Sequence, residues 1–112
     1  MNVQAENHDG VLVAKVEGRV DSSNSQDFER QLQAAIGDDI GAVVMDLGQL
    51  AYISSAGLRV VLLVAKTLGQ RNVSISLCAL SDPVQSVFEI SGFNRIIQIY
   101  DSRADALAAA GK

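Results

Sequence analysis

Six consecutive residues, Ala42-Val43-Val44-Met45-Asp46-Leu47, restrict the fold of this chain more than any other segment. Apolar side chains stand at adjacent positions, so a strand built from them must be covered on both faces. That is the situation of an interior strand in a parallel sheet flanked by helices. Suitable helices lie on either side. Upstream, Phe28, Leu32, Ala35 and Ile36 recur at i, i+4, i+7 and i+8 and predict one apolar helical stripe. Ser22-Ser23-Asn24-Ser25 offers several N-caps, with Ser23 and Gln26 spaced as a capping box, and Gly37 is placed to end the helix in the left-handed conformation. Downstream, residues 56–68 predict a helix whose polar stripe is Arg59, Lys66 and Gln70, so most of its circumference is buried.

The remaining segments continue the alternation. Residues 3–6 form a weak strand candidate. Residues 11–17 form a better one, with Leu12, Ala14 and Val16 on one face, Lys15 and Glu17 on the other, and Gly18 breaking the run. A loop carrying Tyr52 and Ile53 leads into the second helix. Residues 73–80 predict a strand, and Ser81-Asp82-Pro83 opens a third helix with Val84, Val87 and Phe88 inward and Gly92 closing it. Residues 95–100 give the last strand, and Ser102 or Asp101 caps a short Ala-rich helix ending near Ala110. The expected fold class is α/β: one domain over residues 1–112, with a central mixed sheet of about five strands, an opening hairpin and then largely parallel order, packed with about four helices.

Composition narrows the function. At 112 residues the chain has room for one domain, and 48% apolar with 20% charged residues is the balance of an ordinary globular protein. Trp is absent and aromatics are few, so the core is aliphatic and no base-stacking surface is expected. The net charge of −4, without a basic cluster, argues against nucleic acid as a partner. No apolar run approaches a membrane span and the first ten residues lack a signal pattern, so no membrane association is expected. The single cysteine, Cys78, fits a reducing cytoplasm, and in an apolar strand it reads as a small core residue. His8 has no partners at ligand spacing, so no metal and no catalytic triad are expected. With phosphate-loop patterns also absent, no cofactor is expected and the chain does not read as an enzyme.

The segment from Asp46 to Leu58 runs from the carboxyl end of a buried strand to the start of a buried helix, the edge at which α/β sheets carry function. Two serines, Ser54 and Ser55, stand at the helix entrance, and Gly57 lies just inside it, where a side chain would obstruct close approach by another backbone. Structure alone accounts for much of this. Either serine can be the N-cap, worth about 1 kcal/mol, and Gly57 can reflect close helix–sheet packing.

Four separated segments together resemble the STAS family, shared by sulphate transporters and anti-sigma-factor antagonists. They are Gly18-Arg19-Val20-Asp21; Val43-Val44-Met45-Asp46-Leu47; Tyr52-Ile53-Ser54-Ser55-Ala56-Gly57-Leu58; and Cys78-Ala79-Leu80-Ser81 leading to Val87-Phe88-Glu89-Ile90-Ser91-Gly92-Phe93. Their order and spacing are similar to the short, free-standing anti-sigma-factor antagonists. In those proteins the loop before the second helix reads Asp-Ser-Ser-Gly or Asp-Ser-Thr-Gly, and the serine after the Asp is phosphorylated by an anti-sigma factor that is itself a serine kinase. By position the resemblance makes Ser55 that serine and Gly57 the motif glycine. Ser54 stands in place of the Asp, where it is a second, competing hydroxyl, and Ala56 in place of the second Ser or Thr.

The resemblance implies a non-enzymatic antagonist in a partner-switching relay. It binds a serine-kinase anti-sigma factor when unmodified, leaves it when Ser55 is phosphorylated, and is reset by a PPM-type serine phosphatase. The expected contact surface is Asp21, Ser22, Ser23, Asn24, Ser54, Ala56, Gly57 and Arg59, with Asp46 as a supporting acid near Ser55. Each also has an ordinary reading: Asp21 as a turn residue, Arg59 as a solvated helix residue. The default oligomeric state for such a switch is a monomer. The alternative keeps the fold but removes the switch, making the chain an accessory subunit of a larger lipid-transport or stressosome-type assembly. A small-ligand module finds few polar groups beyond the serine loop.

Overall fold

The computed structural model describes residues 1–110. Its elements are β1 (Asn2–His8), β2 (Val11–Val20), α1 (Ser25–Ala35), β3 (Ala42–Ile53), α2 (Ser55–Gln70), β4 (Ser74–Cys78), α3 (Asp82–Ile90), β5 (Gln98–Tyr100) and α4 (Arg103–Ala110), with a 3-10 turn at Phe93–Arg95. The five strands form one sheet in chain order. β1 and β2 pair antiparallel, and every later pairing is parallel. This is the mixed sheet expected from the hairpin-then-alternation pattern.

The apolar run at the start of β3 is buried on both faces, as its composition demands. Val43 and Met45 point into the larger core with Leu58, Val61 and Val64 of α2, Phe28 and Leu32 of α1, and Phe88 of α3. Val44 points the other way, into a smaller core with Val13, Cys78 and Ala106 of α4. Asp46 shares that second face, where its carboxylate accepts from Arg103 Nε and Nη2, each at 2.9 Å.

Several local expectations are corrected. Gly18 does not end β2: it continues the strand with φ +90°, and pairing with β3 extends to Val20. β3 likewise runs six residues beyond Leu47, through the segment expected to be loop. The reason lies in two register shifts. Lys15 pairs with Asp46 but Glu17 with Gln49, and Gly18 pairs with Leu50 but Arg19 with Tyr52, so β3 carries an extra residue at each point. Each β-bulge resets which side chain faces inward. Leu47, Leu50 and Ile53 are all buried at a spacing of three, a pattern that simple alternation does not reveal.

The ends of α1 also differ. Its N-cap is Asn24 with no side-chain capping bond, not a capping box from Ser23. Gly37 is not left-handed: the helix closes at Ile36, which is extended and donates its N–H to Leu32 O at 3.1 Å. At α4, by contrast, Ser102 Oγ accepts from Asp105 N as expected.

Candidate functional site

β2 and β3 end side by side, because Ser54 N donates to Val20 O at 2.9 Å just past the last paired residues. The chain turns into α1 after β2 and into α2 after β3, so the first turns of two helices open on the same edge of the sheet.

The β2–α1 turn is closed by its own side chains. Asp21 accepts from both the backbone N–H and the hydroxyl of Ser23. Asn24 Oδ1 accepts from Asp21 N, and Asn24 Nδ2 donates to Arg19 O. The hydrogen bonds from Ser23 hold the Asp21 carboxyl below its usual range, with smaller help from Arg19. Asp21 is therefore anionic at the mouth of the site, Ser22 and Ser23 are exposed, and Asn24 is half-buried.

At α2 the two serines divide. Ser54 is the N-cap, its backbone extended and its hydroxyl accepting from Gly57 N at 3.4 Å. Ser55 is the first helical residue, and it is exposed. The choice left open by spacing is thus resolved: capping falls to Ser54, and the Ser55 side chain stands in solvent. Ala56 is half-buried.

Gly57, expected on the contact surface, packs within the chain. It is buried, and a Cβ there would lie 2.7 Å from Ile53 Cγ1 and 2.8 Å from Val20 Cγ1. The close approach it permits is that of α2 to the ends of β2 and β3, within the chain. Asp46 is also displaced from its expected place. Arg103 engages it on the α4 face of the sheet, and its Oδ1 accepts from Gly48 N at the bulge. Its role is to pin α4 and shape β3.

A groove between α1 and α2 leads away from Ser55, lined by Ser25, Gln26, Glu29, Ala56, Arg59 and Leu63, among others. Arg59 is exposed on its rim and forms no ion pair among the described residues. Leu63 is 45% exposed, an apolar group in the middle of the helix's polar stripe. Sequence reasoning missed it, although its position four residues after Arg59 carries the signal. A second missed feature is the Arg19 guanidinium stacked 4.5 Å over the ring of Tyr52, its exposed cross-strand neighbour just before Ser54.

Elsewhere the chemistry is quiet. Burial pushes the Cys78 thiol up to about 11, with Asp46 adding to the shift, so it is not a ready nucleophile. Among the described residues no group of three His, Cys, Asp or Glu side chains is placed to hold a metal ion, and no helix is long and apolar enough to cross a membrane. His8 contacts Glu6 on exposed β1.

A five-stranded mixed sheet packed with four helices, with an exposed serine at the entrance of the close-packed α2, defines a single α/β domain of the STAS type. The chain belongs to the STAS domain family, whose pattern matches residues 2–106. It is 48% identical over 109 residues to BtrV of Bordetella bronchiseptica, a protein provisionally described as an anti-sigma factor antagonist, covering 97% of this chain and 94% of that one. It is 30% identical over 108 residues to the anti-sigma F factor antagonist of Paenibacillus polymyxa, covering 96% and 92%. Its fold superposes on the crystal structure of an anti-sigma factor antagonist from Mycobacterium paratuberculosis with a TM-score of 0.90 at 25% identity, covering 99% of this chain and 94% of that one.

Proposed function

We propose that this chain is an anti-sigma-factor antagonist, itself without enzymatic activity, that docks on an anti-sigma factor with serine kinase activity while Ser55 is unmodified. Phosphorylation of Ser55 drives the partner off, and a PPM-type serine phosphatase restores the docking form. The observation that carries this reading is the division of labour at α2: Ser54 caps the helix, which leaves the Ser55 hydroxyl exposed and uncommitted to capping. The names of the similar relatives support the antagonist role.

The switch acts at the interface, not on the fold. A phosphate adds roughly −1.5 to −2 charge at neutral pH. At a helix N-terminus it meets the positive end of the macrodipole, a gain of about 0.3–1 kcal/mol, so the domain accepts it. A partner surface shaped around a neutral hydroxyl does not, because a desolvated, unpaired dianion costs several kcal/mol there. The anionic Asp21 at the end of the neighbouring strand adds to the negative field.

Ser55→Ala should bind the kinase-type anti-sigma factor with unchanged affinity but stay bound when ATP is added, whereas the unsubstituted chain is released. Co-elution in size-exclusion chromatography with and without ATP reads this out. Release of Ser55→Ala by ATP to the same extent as the unsubstituted chain contradicts the proposal. Retention of both forms points instead to a permanent accessory subunit.

A further inference from the structure

We propose that Arg59 is an intramolecular clamp for the phosphate on Ser55; the inference rests on Ser55 being the modified residue. Ser55 and Arg59 lie four residues apart on α2, and both are exposed. That spacing stacks two side chains on one helical face with their Cβ atoms about 5–6 Å apart. Helical side chains in general lean toward the N-terminus, which puts the turn that carries Ser55 within reach of the long Arg59 side chain.

The chemistry fits the placement. An anion four residues before a cation is the more favourable of the two orders. A guanidinium offers a planar fork of N–H donors that matches phosphate oxygens, and it remains charged at any working pH. Before modification nothing on that turn holds it. The first turn of α2 contains no acidic residue, and Arg59 forms no ion pair among the described residues. It lies along the groove that Glu29 also lines. Phosphorylation therefore draws Arg59 from the groove rim toward the helix entrance. One event alters both surfaces, adding charge at Ser55 and removing a cation from the docking groove.

The test uses the full chain with phosphoserine installed at position 55 during translation, so that no kinase is needed. Thermal unfolding at low salt is compared for the phosphorylated and unphosphorylated forms of the unsubstituted chain, Arg59→Gln and Arg59→Lys. The phosphate should raise the midpoint of the unsubstituted chain by about 4 °C, the shift expected of one charge-assisted contact in a domain of this size. Arg59→Gln should lose more than half of that rise and Arg59→Lys should keep an intermediate share, while the three unphosphorylated midpoints agree within about 2 °C. In parallel, the Arg59 Nε–H resonance should move on phosphorylation. An equal rise in all three chains, or a stationary Arg59 resonance, overturns the clamp. Because the phosphate is placed without a kinase, that result leaves the kinase reading of Ser55 untouched, and a chain no kinase modifies would leave the clamp measurable.

Discussion

Ser55→Asp is expected to weaken binding to the kinase-type anti-sigma factor by at least tenfold, about 1.4 kcal/mol, while its melting temperature stays within a few degrees of the unsubstituted chain. The two halves of that result have separate causes. Ser55 is the first helical residue of α2 and is exposed, so a carboxylate there crowds nothing and interacts favourably with the helix dipole. In the proposed complex the same carboxylate faces the docked partner, where loss of solvent makes an unpaired charge costly. Aspartate carries one charge and a phosphate nearly two, so the substitution shows only part of the full effect. A complete exchange between bound and free, from 1:99 to 99:1, needs about 5.5 kcal/mol. Titration calorimetry and thermal unfolding of the same preparation separate the terms. An unfolded Ser55→Asp chain, or one that binds as tightly as the unsubstituted chain, contradicts an interface switch.

The second large effect belongs to Gly57. Its missing side chain lets α2 press against the ends of β2 and β3, where a Cβ would stand 2.7 Å from Ile53 Cγ1 and 2.8 Å from Val20 Cγ1. Both neighbours are β-branched and buried, so neither can swing aside. Gly57→Val should therefore cost about 2–3 kcal/mol by overpacking and lower Tm by about 10 °C. Gly69, near the other end of the same helix, is the control. A Cβ there meets nothing within 4 Å, so Gly69→Ala should stabilise the chain by up to about 1 kcal/mol through helix propensity alone. Denaturant unfolding of the pair checks the contrast, and equal effects at the two glycines would contradict it.

These residues also show what was legible in the sequence. The order of elements was, because the apolar doublets of early β3 and the stripes of α1 and α2 each encode a period. The second half of β3 was not: its bulges place buried residues three apart, and a bulge is set by pairing with β2, which no local window contains. The serine loop was legible as a helix entrance, but which hydroxyl caps it depends on where the last strand residue falls. The bulges decide that as well. Asp46 was misplaced for a related reason. Its face of the sheet follows from register, and its partner Arg103 lies 57 residues away along the chain. The role of Gly57 as a helix–sheet contact was one of two readings that spacing allowed, and the Ile53 and Val20 side chains chose between them.

Incubation with ATP and a kinase-type anti-sigma factor, followed by peptide mass spectrometry of the 46–58 segment, addresses the Ser55 hydroxyl itself. One phosphate per chain, carried on Ser55 and not on Ser54, is the predicted outcome. An unmodified segment in a chain that nevertheless holds the kinase tightly would contradict the account.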